Sequence, residues 1–327
     1  MKTAILAPPK TPSQASPLPA GFALERYRIE RPLSRGGFST VYLAHDETGT
    51  PVAVKEYLPG ALVQRDAGEI EPRVTDAQRA VFFRGMKCFF EEGRALARLD
   101  HPNVTRVLNF FRANATVYMV MRFEHGRTLH DTSRRHRDAL PEAFVRTLFA
   151  RLLNGLREVH AHRLLHLDLK PTNIHLRPDG TPVLLDFGAA RQILHADQAV
   201  LEPIFTPGFA APEQHDRGAP LGPWTDIYGV GASLYATLAG TTPPRADERR
   251  RTDCLVPLAQ TRAGGYSAEL LELVDHCLRL DPLARPQSVP ALQKALRRPP
   301  TSAPTPAPRP PRPGLLRGCV KALAAGR

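Results

Sequence analysis

The chain has 327 residues, and its 42% hydrophobic and 23% charged residues are an ordinary balance for a globular protein. Its formal net charge is +12, but residues 1–20 hold two lysines and no acid, and residues 299–327 hold five basic residues and no acid. Because the charge is concentrated at the ends, the composition argues against a nucleic-acid-binding stripe. We expect no specific nucleic-acid partner.

Cysteine usage and hydropathy argue for a cytoplasmic protein. The four cysteines are far apart and have no zinc or redox spacing, as expected in a reducing compartment. No apolar run approaches the roughly 18 to 20 residues of a membrane-spanning helix, and the N-terminal run is too short for a secretory signal. The basic segment from Gly314 is weakly amphipathic, and a short frayed helix is favoured over membrane contact.

Proline content predicts the domain limits. Residues 1–20 and 299–327 are rich in proline and poor in large apolar side chains, which predicts disordered or extended ends whose binding partners cannot be named. The folded domain is expected over residues 21–298. No internal repeat is visible in it.

The first part of this domain predicts a small sheet and one helix. Alternating patterns predict strands from Tyr27, Thr40 and Pro51, with a glycine turn between the first two. The capping-box spacing of Thr75 and Gln78 then predicts the start of a helix that runs to about residue 99. Two further strands are predicted from Arg106 and Thr116.

The remainder is predicted to be mainly helical. The stretch from residue 226 to residue 296 is punctuated by prolines. An earlier helix is predicted from one apolar stripe, which consists of Val145, Leu148, Phe149, Leu152, Leu156 and Val159.

Two short stretches carry chemistry: H-L-D-L-K-P-T-N from His166 and D-F-G from Asp186. Asp168 can accept a hydroxyl proton, and Lys170 can neutralise charge on a transferring phosphoryl group. Asn173 and Asp186 can supply oxygen ligands to Mg²⁺. Alone, the first stretch would also suit an ordinary loop between a helix and a strand.

Together these stretches resemble those of a eukaryotic-like serine/threonine protein kinase of the type common in bacteria. The resemblance implies an α+β, two-lobed protein-kinase fold, with a small antiparallel β N-lobe and one main helix at 21–122 and a mainly helical C-lobe at 123–298. It implies that ATP and Mg²⁺ are bound between the lobes. The γ-phosphoryl group would pass to Ser/Thr hydroxyls of protein substrates, with Asp168 as the base.

A glycine-rich segment resembles the loop that covers the ATP phosphates in this family. Only Gly36 occupies one of its three glycine positions, whereas Ser34 and Ser39 occupy the outer two. A glycine-rich hairpin without a ligand is therefore the alternative. The residues expected to cover the phosphates are Leu33, Ser34, Arg35, Gly36, Gly37, Phe38 and Ser39.

The V-A-V-K stretch from Val52 ends a buried-looking strand with Lys55, which has no reason to be buried unless paired. The resemblance implies that Lys55 bridges the phosphates and a helix glutamate. Glu92 is the expected partner, and Glu91 is the near rival.

The Y-M-V-M-R-F-E-H-G stretch from Tyr118 resembles the hinge between kinase lobes, with Met121 as gatekeeper. His175 stands where the family usually has an aliphatic residue, so stacking on the base and a plain hydrogen-bonded histidine both remain open. The adenine site implied by the resemblance comprises Val41, Ala53, Met121, Arg122, Glu124 and His175.

Further motifs resemble protein kinases rather than small-molecule phosphotransferases. The T-P-G-F-A-A-P-E stretch from Thr206 resembles the substrate-docking segment, in which the threonine contacts the catalytic Asp and Lys. Its last residue, Glu213, is expected to pair with Arg285, and Asp226 to support the catalytic loop. The residues that match the stack aligning the lobes are Leu96, Val107, His166 and Phe187.

Two departures from the family affect regulation. Leu167 replaces an arginine that normally needs a phosphorylated activation loop, and Thr206 is the only hydroxyl-bearing residue between positions 186 and 213. We therefore expect activity without activation-loop phosphorylation. Glu202 stands where the family often has a phosphothreonine, and a solvated acid is favoured over a mimic of that charge because the partner arginine is missing. The serines at 34 and 39 leave a pseudokinase as the alternative. Residues 59–85 make the connection between Lys55 and Glu92 longer than the family needs, and we expect them to form an extra turn from Arg65 and an extension of the helix.

Overall fold

The computed structural model describes residues 15–135, 140–187, 206–216, 218–261 and 265–298. Glu202, with the rest of residues 188–205, and the segment 299–327 lie outside the described residues. An antiparallel sheet in the order β1-β2-β3-β4-β6-β5 forms the N-lobe. Its strands are β1 Ala23–Leu24, β2 Tyr27–Arg35, β3 Ser39–His45, β4 Pro51–Tyr57, β5 Val107–Ala113 and β6 Thr116–Arg122.

The two faces of this sheet carry different chemistry because side chains alternate along each strand. Lys55 and Glu56 are consecutive on β4 and both are buried, so they lie on opposite faces. Helix α1, Asp76–Leu96, packs on the Lys55 face through an apolar stripe that includes Phe82, Met86 and Phe89. The other face is covered by a separate apolar cluster.

The start of α1 differs from the predicted capping box. The Thr75 side chain makes no capping bond; its hydroxyl instead donates to Gln78 Oε1 at 3.0 Å. Gln78 Nε2 donates to the Ala61 carbonyl at 3.1 Å, because the chain before α1 folds back within reach of the helix. The box is wrong, although the helix begins where it was predicted.

The C-lobe is mainly helical and confirms the predicted stripes. Every residue of the stripe in the second long helix is buried. The helices are α2 Leu129–Arg135, α3 Glu142–Ala161, α4 Pro223–Ala239, α5 Ala246–Arg249, α6 Leu258–Thr261, α7 Ala268–Cys277 and α8 Val289–Leu296. A small sheet, β7 Arg127–Thr128, β8 Ile174–Leu176 and β9 Pro182–Leu184, adjoins the cleft between the lobes. None of the helices in the described ranges is long and apolar enough to cross a membrane.

Gly126 makes the connection between the lobes possible. Its φ of 134° favours glycine, and a Cβ there would lie 2.0 Å from the Leu176 carbonyl oxygen. Only glycine lets the hinge pass this close to β8. The two-lobed fold predicted from the sequence is confirmed.

Residues 15–20 form an N-terminal strap that packs on the N-lobe. Ala15 and Leu18 are buried, with Leu18 only 1% exposed. Ser16 is held through its main chain, because its N–H donates to the Arg65 carbonyl at 2.8 Å and its carbonyl accepts from Arg65 Nε at 2.6 Å. The folded domain therefore begins before residue 21. Proline content predicted disorder here, but the strap's apolar side chains and main-chain groups find partners.

Arg65, within the long connection between β4 and α1 (residues 58–75), supports the strap through a buried ion pair. Its guanidinium binds both carboxylate oxygens of Glu56 at 2.7 Å, and both side chains are fully buried. The hydroxyls of Tyr42 and Tyr118 donate to the same carboxylate at 2.6 and 2.8 Å. A buried carboxylate needs such partners. The connection thus neutralises a charge on the outer face of β4.

Shortening the N-terminus should separate the strap from the residues before it. We expect removal of residues 1–14 to leave the free energy of unfolding unchanged, whereas removal of 1–20 should lower it because Leu18 leaves the core. Leu18→Ala alone should cost about 2 to 4 kcal/mol in urea unfolding.

Leu283→Ala is the matched control. Leu283 is 77% exposed, so this change should cost less than about 0.5 kcal/mol. Equal unfolding midpoints for the chains shortened by 14 and by 20 residues would contradict a structural strap.

Candidate active site

Asp168 lies at the centre of a connected polar cluster. Its Oδ2 accepts from Lys170 Nζ at 2.7 Å and from Asn173 Nδ2 at 3.0 Å, and its Oδ1 accepts from the Thr206 hydroxyl at 2.9 Å. Lys170 also donates to the Thr206 oxygen at 2.6 Å. The structure therefore brings together the predicted base, lysine and docking-segment threonine. The carboxylate is oriented by three side chains, two from its own loop and one from the docking segment.

Asp226, on α4, holds the backbone that leads into Asp168. It is buried, and its carboxylate accepts the N–H groups of His166 at 2.9 Å and Leu167 at 2.8 Å. His160 Nε2 lies 2.7 Å from the same carboxylate. Burial raises the pKa of this carboxyl, but the hydrogen bonds and the nearby histidines lower it by more. The net pKa therefore lies below the usual value, and the group stays ionised.

His166 is neutral for a structural reason. Its Nε2 donates to the Leu185 carbonyl at 3.0 Å, and its Nδ1 accepts the Asp168 N–H at 3.3 Å. Burial lowers the pKa of His166, which agrees with this assignment. Its ring lies 4.5 Å from that of Phe187, and the other two residues of the predicted stack, Leu96 and Val107, are buried as well.

Lys55 pairs with Asp186 and not with Glu92. The Lys55 ammonium donates to Asp186 Oδ1, and no ion pair of Lys55 with Glu92 occurs in this described part of the chain. Burial lowers the pKa of Lys55, but the carboxylates of Asp186 and Glu92 offset this and raise it overall. The predicted Lys55–Glu92 contact is therefore absent here. Asp186 is closer to the ammonium and accepts its hydrogen bond instead.

Glu92 is left with an unsatisfied oxygen. Its Oε1 is buried and has no hydrogen-bond partner. Burial raises the pKa of Glu92 to about 8, although the Lys55 charge opposes this. Its rival Glu91 is exposed on the helix and lies 3.9 Å from Lys87. Glu92 is thus the glutamate that faces the cleft, but it stands without the partner the sequence predicted.

The register of the sheet places the predicted adenine-covering residues on the Lys55 face. Val41 is opposite Lys55, and Ala53, two residues before Lys55, is opposite Met121. Directly opposed residues share a face of an antiparallel sheet, as do residues two apart on one strand. These side chains can therefore form one surface above a bound base.

The glycine-rich segment, residues 33–39, is tied to the chain that follows β4. Gly36 N–H donates to the Ser39 carbonyl at 2.8 Å and closes the turn. The carbonyls of Phe38 and Gly37 accept from Leu58 at 2.8 Å and Gly60 at 3.0 Å. Leu33, Ser34 and Arg35 lie on the exposed end of β2. The turn is thus positioned by the long connection as well as by its own strands.

Hinge contacts refine the predicted adenine site. The Arg122 N–H donates to the Arg106 carbonyl at 2.9 Å, so this donor is committed to the protein. The Glu124 carboxylate binds Arg177 at 2.6 and 2.9 Å, so this side chain is committed to the protein as well. On β8, His175 Nε2 is buried without a partner, and burial lowers the pKa of the ring.

The docking segment, residues 206–213, is anchored by an ion pair. Arg285 binds both oxygens of Glu213 at 2.8 and 2.9 Å, and the Thr225 hydroxyl donates to Glu213 at 2.9 Å. Both charged side chains are buried. The pairing of Glu213 with Arg285 is the one that the sequence predicted. Just beyond the segment, Gln214 Nε2 donates to the Leu167 carbonyl at 2.9 Å. This contact is not predictable from the sequence, because no motif signal distinguishes Gln214.

The donor set suits a divalent cation. Asn173 donates through its amide nitrogen to Asp168, which turns the amide oxygen away from that bond. Asp186 keeps Oδ2 besides the oxygen bound by Lys55. Oxygens of one amide and one carboxylate are hard ligands of the kind that Mg²⁺ prefers. The residues present therefore fit the predicted metal.

Comparison with known proteins agrees with this geometry. A family model described as the protein kinase domain matches residues 27–297. CBL-interacting protein kinase 4 of Oryza sativa subsp. japonica is 33% identical over 67% of this chain and 46% of its own length. Serine/threonine-protein kinase PknL of Mycobacterium bovis is 31% identical over 79% of this chain and 61% of its own length. The chain thus spans about half the length of these relatives.

A solved structure, the PpkA-294 apo form, superposes with a TM-score of 0.75 at 35% identity, covering 86% of this chain and 99% of that chain. The resemblance to bacterial-type serine/threonine kinases predicted from the catalytic stretches is confirmed. With its matched domain, its fold and its Asp168 cluster, this chain belongs to the protein kinase family.

Proposed function

We propose that the chain is an active serine/threonine protein kinase that transfers the γ-phosphoryl group of ATP to Ser/Thr hydroxyls of protein substrates. The observation that carries the proposal is the bonding of Asp168 to Lys170, Asn173 and Thr206. A substrate hydroxyl that reaches Asp168 meets a carboxylate held in one orientation, beside a cation that stabilises phosphoryl charge.

Nucleotide binding is assigned to the cleft between the sheet and β8. Val41 and Ala53 would lie above the base, His175 below it, and the main chain from Arg122 to Glu124 along its edge. The glycine-rich segment and Lys55 would hold the phosphates. Mg²⁺, held by Asn173 and Asp186, would supply charge neutralisation at the phosphates.

In this proposal Lys55 has two positions. Without nucleotide it neutralises Asp186, and with nucleotide it turns to the phosphates and Glu92. The unsatisfied Glu92 Oε1 supports the second position, because a buried acceptor without a donor is unfavourable until one arrives. Glu92 would then orient Lys55.

Activity is proposed to require no activation-loop phosphorylation. Leu167 is buried and uncharged, so no guanidinium beside Asp168 awaits a phosphate. Thr206, the only hydroxyl-bearing residue from 186 to 213, is bonded to both Asp168 and Lys170 and is unsuited to a switch.

The setting proposed for this activity is cytoplasmic signalling through protein substrates. No disulfide joins the cysteines in the described ranges, which is compatible with a reducing compartment. The alternative, a nucleotide-binding pseudokinase, rests on Ser34 and Ser39. It would bind ATP without transferring phosphate.

Loss of the central groups should abolish transfer. We expect Asp168→Asn, Lys55→Met and Asp186→Ala each to lower phosphorylation of dephosphorylated casein by at least about a hundredfold, because each removes a base, a phosphate clamp or a metal ligand. The measurement is incorporation of label from ATP with Mg²⁺.

Two exposed residues provide matched controls. Asp179→Asn, in the turn between β8 and β9, and Lys294→Met, on α8, make the same chemical changes outside the cleft and should keep full activity. Near-full activity in all three cleft variants would contradict the kinase assignment.

Dephosphorylation should leave the enzyme active. After phosphatase treatment and removal of the phosphatase, we expect the initial rate on casein to stay within about twofold of the untreated rate, because no charge beside Asp168 needs a phosphate. Leu167→Arg is the counter-test: an unpaired guanidinium in a buried position should lower the rate. Collapse of wild-type activity, restored by ATP, would show control by a phosphorylated residue outside positions 186–213.

The raised pKa of Glu92 predicts a pH-dependent stability. A carboxyl whose pKa rises from 4.5 in the unfolded chain to about 8 in the folded chain binds a proton on folding, so it lowers stability as pH rises through this window. Without nucleotide, Glu92→Gln should therefore gain stability relative to the wild type between pH 5 and pH 8. Urea unfolding at several pH values measures this.

Glu91→Gln is the control for this series. Glu91 is exposed one position away on the same helix, so its replacement should produce no such trend. If the two variants show the same pH profile, the buried environment of Glu92 is not the cause.

A further inference from the structure

Gln214 joins the docking segment to the catalytic loop through both ends of its side-chain amide. Nε2 donates to the Leu167 carbonyl at 2.9 Å, and Oε1 accepts the Ala211 N–H at 2.9 Å. The residue follows Glu213 in a short 3₁₀ turn, Pro212–His215, and is half-buried. Because one end accepts and the other donates, only an amide in this orientation satisfies both contacts.

The carbonyl that Gln214 binds belongs to a strained residue. Leu167 has a φ of 62°, in the left-handed region that a leucine rarely adopts. Such a conformation persists only when the surrounding contacts impose it. On one side the Leu167 N–H is held by Asp226 at 2.8 Å, and on the other its carbonyl is held by Gln214.

The held peptide leads directly into Asp168. If the Leu167 carbonyl loses its donor, the backbone can rotate towards an ordinary conformation, and Asp168 moves with it. The remaining contact of this peptide unit, from the Asp168 N–H to His166 Nδ1, is long at 3.3 Å. The bond from Gln214 Nε2 to the Leu167 carbonyl, at 2.9 Å, is therefore the stronger of the two hydrogen bonds made by that peptide unit.

We propose that Gln214 is a positioning residue for phosphoryl transfer, which holds Asp168 in its reactive orientation and couples it to the docking segment. The inference rests on the proposed kinase function and gives a physical basis for activity without loop phosphorylation. A neutral amide makes the link between segment and catalytic loop permanently, so no added charge has to create it.

The role is separable from folding of the segment itself. Glu213 anchors the same stretch through Arg285 and Thr225, with three hydrogen bonds that do not involve Gln214. Loss of the Gln214 donor should therefore leave the docking segment in place and release only the Leu167 carbonyl.

Gln214→Glu tests this with almost no change of shape. The carboxylate can still accept the Ala211 N–H, but it cannot donate to the Leu167 carbonyl. Gln293→Glu is the matched control, because Gln293, which is buried on α8, likewise donates through Nε2, to Asn154 on α3 at 2.8 Å. It makes the same chemical change far along the chain from the catalytic loop.

The full chain and both variants are assayed on dephosphorylated casein with Mg²⁺ and ATP, and binding of a non-hydrolysable ATP analogue and thermal unfolding are measured in parallel. For Gln214→Glu we expect kcat to fall about tenfold or more, since small misplacement of a catalytic group has large effects on rate. KM for ATP and analogue affinity should stay within about twofold of wild type. Gln293→Glu should keep the wild-type kcat, although its thermal midpoint should fall at least as far as that of Gln214→Glu.

Three results would overturn the positioning role. The first is a kcat for Gln214→Glu within about twofold of wild type. The second is a loss of kcat that comes with an equal loss of analogue binding, and the third is a loss of kcat that Gln293→Glu reproduces. Absence of transfer by the wild-type chain would instead overturn the proposed function, and the role of Gln214 with it. Transfer by the wild type distinguishes the two failures.

Discussion

The rest of the catalytic site depends on one buried carboxylate. Asp226 has no contact with solvent, so its charge is tolerable only because two backbone N–H groups and His160 bond to it. Those same bonds impose the conformation of His166 and Leu167. The left-handed conformation of Leu167 is thus stabilised because it lets the backbone N–H groups bond to the buried Asp226 carboxylate. Asp168, the next residue, takes its direction from that turn.

A second constraint comes from consecutive charges on β4. Lys55 and Glu56 are both buried, and alternation puts them on opposite faces of one strand. Each buried charge needs its own partner. Lys55 forms an ion pair with Asp186 across the cleft, and Glu56 forms one with Arg65 of the long connection. A slip of one residue in strand register would exchange the two charges and lose both pairs. The long connection and the strap therefore fix the strand that carries Lys55.

The sequence predicted features that depend on local patterns. Alternation located β3 and β4, and the apolar stripe located α3. The catalytic stretch from His166 carried Asp168, Lys170 and Asn173, and the docking-segment stretch carried Thr206. It did not predict features that depend on a choice between distant partners. Gln78 bonds to Ala61 rather than closing a cap, and the proline-rich strap is folded because Arg65 offers a donor and an acceptor to Ser16. Neither partner is marked by spacing or composition.

The choice made by Lys55 is the most consequential of these. Asp168, Asp186 and Glu92 place three carboxyl groups in the cleft, and Lys55 and Lys170 supply two ammonium groups. One acid is therefore left over. Because Lys55 binds Asp186 and Lys170 binds Asp168, Glu92 is left without a bonded cation, and burial raises its pKa. An excess of carboxylate is the environment that favours a divalent cation. Positive charge added at Asp186 would release Lys55 towards Glu92, so the pairing of Lys55 and the charge of Glu92 are coupled electrostatically.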